Sequence, residues 1–212
     1  MIIAIDGTTA SGKGTIAKRL SAHYGLPHMD TGRLYRATGV AAMRAGVALD
    51  DADGVAAVAR SLDLTDFDEA DLRTAEAGKA ASVVAAIPEV RQALFELQRA
   101  FATQPLGALL DGRDIGTIIA PEADAKLWVD ASVEVRAARR WRELCGQGSD
   151  IALETVIEQL RVRDQRDQSR KDAPAEMAAD AVLIDTTDLT IEAAVEKAIA
   201  AVEAAMARGN RA

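Results

Sequence analysis

The chain has one cysteine, Cys145, in 212 residues. A single thiol excludes an internal disulfide framework and a multi-cysteine metal site, and it is compatible with a reducing, cytoplasmic setting. Aromatic side chains make up only 3%, so the core has to be built from Ala, Val, Leu and Ile. No apolar run approaches the ~20 residues needed to span a bilayer. The first apolar stretch has no basic segment before it, and it reads as a strand rather than a secretory leader. Positive charge is in deficit, with 25 Lys and Arg against 33 Asp and Glu for a net charge of −8. That balance argues against a general nucleic-acid or membrane-surface binder. There is no internal repeat, no low-complexity linker and no apolar seam that would call for a second copy, so a monomer is expected. What remains is ordinary for a globular protein: 49% hydrophobic and 27% charged residues, in a length that suits one domain, 1–212, with inserts.

The most informative feature comes first in the chain. Directly after Ile2-Ile3-Ala4-Ile5, residues Gly7, Thr8, Thr9, Ala10, Ser11, Gly12, Lys13, Gly14 and Thr15 follow the pattern G-x-x-x-x-G-K of a phosphate-binding loop. Glycines let the backbone curl so that successive N–H groups point at one anion. The helix that follows adds its N-terminal partial positive charge. Lys13 supplies a point charge for the outer phosphates of a nucleoside triphosphate. Ile16, Leu20 and Tyr24, four apart, give that helix an apolar face. The general motif places Ser or Thr straight after the lysine to meet Mg²⁺, whereas here Gly14 intervenes and the hydroxyl comes at Thr15.

Short apolar strands alternate with helices along the chain, which predicts a parallel sheet of five strands covered by helices on both faces. The candidate strands are Ile2–Asp6, Pro27–Asp30, Ala108–Asp111, Lys126–Asp130 and Val182–Asp185. Each ends in Asp at its carboxyl end, where open α/β sheets place ligands. Two stretches read as mobile flaps on that core. Residues 47–105 include an acidic, weakly patterned piece, Ser61 to Arg73, then a helix starting at Pro88, a good first-turn residue. Residues 146–174 open with Gly146-Gln147-Gly148 and continue as a charged helix. A last helix, roughly Ile191 to Ala207, follows a Thr-rich cap. His23 and His28 are expected to pack or hydrogen-bond near the sheet edge.

The acidic average hides a basic region. Between Arg136 and Lys171 there are nine Lys and Arg residues against six Asp and Glu. Arg163, Arg166 and Arg170 recur at spacings of three and four and share a helix face with Asp167 beside them. Alone, this is a solvated helix laced with ion pairs. Beside a phosphate loop it also reads as a flap of arginines for the charge that develops on transferring phosphoryl oxygens. Such a flap is expected to make few apolar contacts, with arginines unpaired until phosphates arrive.

Several motifs then coincide. Besides the loop, in its G-K-G-T form, Thr31-Gly32-Arg33-Leu34-Tyr35-Arg36 resembles the acceptor-phosphate motif T-G-x-x-x-R of adenylate and cytidylate kinases. Asp111-Gly112-Arg113-Asp114-Ile115-Gly116-Thr117 resembles the cytidylate kinase segment, and Arg163-Asp164-Gln165-Arg166-Asp167-Gln168-Ser169-Arg170 that family's lid pattern. Ser82 to Arg91, with Pro88 between, is similar to its base-side segment. The resemblance to bacterial cytidylate kinases runs from end to end. It implies a P-loop NTPase-type α/β fold in a single kinase domain, with residues 47–105 as the monophosphate-binding insert and residues 146–174 as the lid. The implied activity is transfer of the γ-phosphoryl group of ATP, carried with Mg²⁺, to CMP or dCMP. By that resemblance Thr31 and Arg36 hold the acceptor phosphate with Arg113 nearby. Ser82, Arg91 and Asp114 read cytosine, and Asp167 with Arg163 binds the ribose. Arg166 and Arg170 act at the phosphates, Arg139 stacks on the adenine of ATP, and Asp111 orders Mg²⁺-bound water.

The base chemistry agrees. Cytosine offers an N4 amino donor to a carboxylate such as Asp114, and acceptors to an arginine such as Arg91, whereas uracil presents mismatched groups at both. One departure from the family stands out. Asp63-Leu64-Thr65-Asp66-Phe67 runs almost at once into Glu69–Ala81, which reads as one helix-forming run where many cytidylate kinases carry extended antiparallel strands. The insert is therefore expected to be shortened and the base pocket more open. Two alternatives remain: a kinase of the same fold acting on another small acceptor such as UMP or AMP, and a nucleotide-binding switch module. The second lacks an N-K-x-D guanine loop.

Overall fold

The parallel strands and helices expected from the alternation are present in the computed structural model, which describes residues 1–209. The last three positions of the expected 1–212 domain lie outside the described residues. Strand β1 (Ile2–Gly7) leads into α1 (Lys13–Tyr24), β2 (His28–Asp30) and α2 (Thr31–Arg44). Then come α3 (Ala52–Arg60), α4 (Glu69–Leu72), α5 (Ala75–Val84) and α6 (Pro88–Ala102). The second half runs β3 (Ala108–Gly112), β4 (Ala125–Asp130), α7 (Val133–Gly146), α8 (Leu153–Gln168), β5 (Val182–Asp185) and α9 (Ile191–Gly209). The sheet is five-stranded and parallel, in the order β2-β3-β1-β4-β5. β1 pairs with β3, Ile5 against Asp111, and on its other side with β4, Ile5 against Leu127. The chain thus passes from one side of β1 to the other between β3 and β4. That reversal opens a crevice at the carboxyl ends of the strands.

The described chain separates into two units, one made of Met1–Met29 with the chain from Phe101 onward, the other of Asp30–Ala100. The first holds the sheet. Its core gathers Ile3 and Ile5 of β1, Ile16 and Leu20 of α1, Leu127 and Val129 of β4, and Ala198 and Val202 of α9. The predicted apolar face of α1 holds at Ile16 and Leu20, and each such buried aliphatic contributes about 1.5–3 kcal/mol. Tyr24 lies at the rim of that face, with His23 edge-on to its ring at 4.6 Å. α9 is capped by Thr190, whose Oγ1 accepts from the Ala193 N–H at 3.2 Å.

After Asp30 the regular elements of the second unit are all helices, joined by turns and short loops. α2 and α5 pack so closely that a Cβ on Gly39 would stand 2.7 Å from that of Ala80. Ala37, Val40, Phe67, Leu72 and Ala77 form its apolar cluster. The run Glu69–Ala81 is not one helix. Thr74 leaves the helical conformation and its hydroxyl accepts from the Ala77 N–H at 3.0 Å, which starts α5 anew. Residues 61–73 hold a 3₁₀ turn, Leu64–Asp66, and the short α4, and no strand.

Candidate active site

The phosphate loop is shaped by its neighbours as much as by its own glycines. Gly7 sits at φ 151°, and a Cβ there would overlap the Val129 carbonyl oxygen, so the loop can leave β1 only through a glycine. Ala10 takes the left-handed conformation at φ 61° and Gly12 caps α1 at φ 92°. A non-glycine residue is held there only where the surroundings over-determine it, and they do. Thr8 Oγ1 donates to Asp130 Oδ1 at 2.6 Å, and Ser11 Oγ donates to the Thr8 carbonyl at 2.9 Å. Thr186, at the end of β5, donates to the Ser11 carbonyl at 2.8 Å. Ser11 is fully buried.

Four cations face this loop from the sheet unit. Lys13 Nζ lies 3.6 Å from Asp111 Oδ1 at the end of β3. Asp111 is 2% exposed, and its other oxygen is hydrogen-bonded at 2.8 Å to His28 Nε2 on the edge strand β2. Arg113 donates to Thr9 Oγ1 at 2.7 Å. Arg139 donates to the carbonyls of Ser11 and Thr186 at 3.3 and 2.8 Å. Its burial, with the like charge of Arg142, lowers its pKa, yet a guanidinium stays charged at neutral pH. Arg136 is the cation that reasoning from sequence did not assign. It is buried in α7 and donates to the Thr9 carbonyl at 3.3 Å and to Asp164 Oδ2 of α8 at 2.7 Å. A third bond, at 2.8 Å to the Ala131 carbonyl, ties it to the end of β4. Its signal in the sequence was weak, one arginine among several on a charged helix.

The acidic residues of α8 meet these arginines. Asp167 is 4% exposed and its Oδ2 accepts from Arg113 Nε at 3.3 Å. Its Oδ1 pairs with Arg170, and Arg163 stands 3.9 Å away. Burial alone would raise the Asp167 pKa, but the charges of Arg113, Arg170 and Arg163 outweigh it and hold the carboxyl below its usual range. Gly7, Thr8, Arg113, Asp164 and Asp167 line one crevice. The arginines of this segment are therefore engaged before any phosphate arrives, contrary to the expectation of unpaired side chains. Nor is the segment poor in apolar contacts. Ala137 and Leu144 of α7 pack against Val156 and Leu160 of α8, with Trp141 Nε1 donating to the Ile151 carbonyl at 2.9 Å. The alternation of charge along α8 concealed this narrow apolar stripe. Arg166, half-buried, lies in the last turn of α8, and Arg170 lies just past the helix end.

Asp114 follows β3 and is buried at 4% exposure. It opens a wide π-type turn, Ile115–Ile119, in which the Ile119 and Ala120 N–H groups reach back five residues to the Asp114 and Ile115 carbonyls. Such turns are rare and cluster at functional sites. The first N–H groups of the turn, of Ile115 and Gly116, both donate at 2.8 Å to the carboxylate of Asp6 in β1. Asp6 was visible in the sequence only as the last residue of a strand. Burial pushes its pKa up to about 7. The Gly116 and Ile115 N–H groups oppose that rise, Asp114 adds to it and Lys13 reduces it.

Thr31, Arg36, Ser82 and Arg91 belong to the helical unit. Thr31 is buried at the start of α2, where Asp30 is the N-cap. Arg36 Nη2 donates to Asp30 Oδ2 at 2.6 Å, so the arginine of the T-G-x-x-x-R motif pairs with the acid just before the motif across the first turns of α2. Ser82 is buried within α5. Arg91, in the first turns of α6, donates to the Ala85 carbonyl at 3.4 Å and lies 5.7 Å from the centroid of Tyr35. Tyr35, which lies inside the quoted motif, was given no role from the sequence.

The titration of Asp6 gives a stability signature. A buried carboxyl whose folded pKa lies above its unfolded 3.8 makes folding less favourable once it ionises. Stability should therefore fall as pH rises from about 4 to about 7, by up to ~1.4 kcal/mol per pH unit from this group. The charged groups that bear on it are Asp114 and Lys13. Urea unfolding across that range should show the slope in the wild type and a flatter curve in Asp6→Asn. Equal slopes would assign the dependence to other groups.

Similarity to known proteins agrees with this geometry. A sequence profile described as cytidylate kinase matches residues 3–204. The chain is 58% identical to a cytidylate kinase of Methylocella silvestris over 97% of its length and 95% of that protein. It is 59% identical to a cytidylate kinase of Xanthobacter autotrophicus, covering 96% and 98% of the two chains. Among solved structures, a gluconokinase from Sinorhizobium meliloti 1021 superposes with a TM-score of 0.52 at 13% identity, covering 98% of this chain and 94% of that one. A sugar kinase from Janibacter sp. HTCC2649 gives 0.51 at 13%, covering 97% and 95%. Those two likenesses speak to the α/β fold alone. No helix among the described residues is long and apolar enough to cross a membrane. Identity above one half, sustained over nearly the whole of each relative, goes well beyond a shared phosphate loop, and the chain belongs to the cytidylate kinase family.

Proposed function

We propose that the protein transfers the γ-phosphoryl group of ATP to CMP or dCMP, giving CDP or dCDP. The observation that carries this reading is the family match over residues 3–204. The geometry supports it: Arg113, beside Asp114, bonds directly to the phosphate loop. The same match favours this reading over another acceptor or a switch module.

The acceptor is already a phosphate oxygen, so no general base is needed and the protein's work is positioning and charge. The loop N–H groups, Lys13 and the start of α1 take the triphosphate, with Arg139 for the adenine. Thr31, Arg36 and Arg113 take the acceptor phosphate. Ser82, Arg91 and Asp114 read the base, and Asp167 with Arg163 takes the ribose. Arg166 and Arg170 serve the transferring group. Because Asp167 already pairs with Arg113 and Arg170, substrate binding exchanges partners within a built network and does not assemble one from solvent.

Among the described residues no group of three or more His, Cys, Asp or Glu could hold a metal ion. One buried carboxylate, Asp111, beside the loop and the hydroxyl of exposed Thr15 in the first turn of α1 suit an ion that arrives on a nucleotide and keeps its waters. Mg²⁺ bound with ATP would be held through water by Asp111 and would neutralise charge on the β- and γ-phosphates. We read residues 146–174 as the lid and the stretch 47–105 as a shortened monophosphate-binding insert. The insert's lack of strands over residues 61–73 supports an open base pocket, so UMP should be usable at high concentration.

A coupled assay of ADP release with CMP, dCMP, UMP, AMP and GMP as acceptors tests the function. CMP and dCMP should lead in kcat/KM, and a lead by AMP or GMP would reject it. The lid reading has its own check. A bisubstrate analogue should slow hydrogen exchange most at 147–152 and 169–174, which flank the packed α8, while the α7–α8 stripe is already protected. Unchanged exchange in both flanks would count against closure.

A further inference from the structure

We propose that Asp6 is a positioning residue for base recognition: its carboxylate clasps the backbone directly after Asp114 and so sets the direction from which Asp114 meets the acceptor base. The inference rests on the reading of Asp114 as the group that accepts from the cytosine amino group.

Asp6 sits at the carboxyl end of the central strand, 4% exposed, where it could have served the phosphate loop. Instead both its oxygens are taken, Oδ1 by the Ile115 N–H and Oδ2 by the Gly116 N–H, each at 2.8 Å. These are the first two donors of a helical turn, which nothing within the turn can satisfy. The turn's return bonds, from the Ile118 and Ile119 N–H groups to the Asp114 carbonyl and from the Ala120 N–H to the Ile115 carbonyl, span four or five residues, and none of them engages the Ile115 or Gly116 N–H. A carboxylate from another strand that binds these two successive N–H groups fixes the turn's opening direction from outside. Asp114 is the residue immediately before those two donors, at φ −143° and ψ 22°. Its Cα–Cβ direction follows from the same peptide plane that Asp6 grips. Space around the clasp is tight: a Cβ on Gly116 would stand 3.2 Å from Lys126 Cδ and 3.4 Å from Asp6 Oδ2.

An amide in place of the carboxylate keeps the shape but turns one acceptor into a donor facing an N–H. The turn must then shift and carry Asp114 with it. A purely structural role would lower activity with every acceptor alike. A positioning role moves the acceptor terms and spares the ATP terms.

The test is steady-state kinetics on Asp6→Asn, Gly116→Ala, Asp114→Asn and the double variant Asp6→Asn/Asp114→Asn, with circular dichroism and melting to verify folding. The expected result for Asp6→Asn is a KM for CMP raised at least ~10-fold, with the ratio of kcat/KM for CMP over UMP down by a similar factor. KM for ATP should stay within about twofold. The double variant should discriminate no worse than Asp114→Asn, because both changes remove one function. Three results would overturn the proposal: an unchanged CMP-to-UMP ratio in Asp6→Asn, a rise in KM for ATP alone, or additive losses in the double variant. If Asp6→Asn does not fold, Gly116→Ala disturbs the same clasp with the carboxylate retained and decides by the same ratio. Should Asp114→Asn itself leave the ratio unchanged, the base-reading role of Asp114 fails first.

Discussion

Replacing Lys13 with alanine should lower kcat by at least ~10²-fold while the melting temperature changes little. The magnitude is that of removing one preorganised electrostatic donor from a transferring group. Lys13 starts α1 at the phosphate loop, and its ammonium lies 3.6 Å from the buried Asp111. That pairing holds the cation beside the loop and within reach of the outer phosphates. The loop's shape does not depend on it. It is secured by Thr8 on Asp130, Thr186 on Ser11 and Arg136 on Thr9. The fold should therefore survive, and the loss should appear in kcat and kcat/KM together, the mark of an interaction made chiefly in the transition state. Single-turnover measurement with saturating ATP and CMP checks this. Turnover within a few-fold of the wild type would remove Lys13 from the chemistry and overturn the phosphate-loop assignment.

Asp167→Ala should cost about 3–5 kcal/mol of stability, the usual result when one member of a buried charge cluster is removed and the others are left uncompensated. For a chain of this size that corresponds to a drop in Tm of roughly 6–20 °C. Asp167 is 4% exposed and serves Arg113, Arg170 and Arg163 at once. Its folded pKa is depressed, so its contribution is fully present above the unfolded value of 3.8 and is lost as pH falls through the folded one. The stability gap between wild type and variant should accordingly be widest near neutral pH and shrink in acid below about pH 4. Chemical unfolding at pH 7 and pH 3 reads both effects. A gap under ~1 kcal/mol at pH 7 would show that the arginines find other partners. Wild-type Asp167 would then be a substrate group with little structural duty.

Much of this molecule is decided by local rules. Period and punctuation place β1 before the loop, α1 after it, and Val182–Asp185 and Ile191 at the starts of the last strand and helix, because those segments carry their own apolar pattern and caps. The phosphate loop and the motifs at Thr31 and Asp111 are equally local, since each needs particular residues at fixed spacing to bend backbone around an anion or aim a side chain at one. Local reasoning goes astray where two signals overlap. Glu69–Ala81 has helix-forming composition throughout, yet α4 stops at Leu72 and the Thr74 hydroxyl, by capping Ala77, starts a separate helix. The charge of α8 masks a stripe as narrow as Val156 and Leu160.

The tertiary structure alone decides which charges meet. Arg136 and Asp164 are 28 residues apart, Arg113 and Thr9 are 104, and Asp6 and Gly116 are 110. No periodicity links such pairs. The last two come together because β1 lies beside β3, which brings strand ends distant in sequence to one edge, and the first because α7 and α8 pack on a shared apolar stripe. A sequence read alone therefore shows the reaction class, through loops whose chemistry is local. It leaves hidden the clasp on Asp114 and the arginine ties around the phosphate loop, because burial and sheet order, not spacing, set the partners of a buried carboxylate.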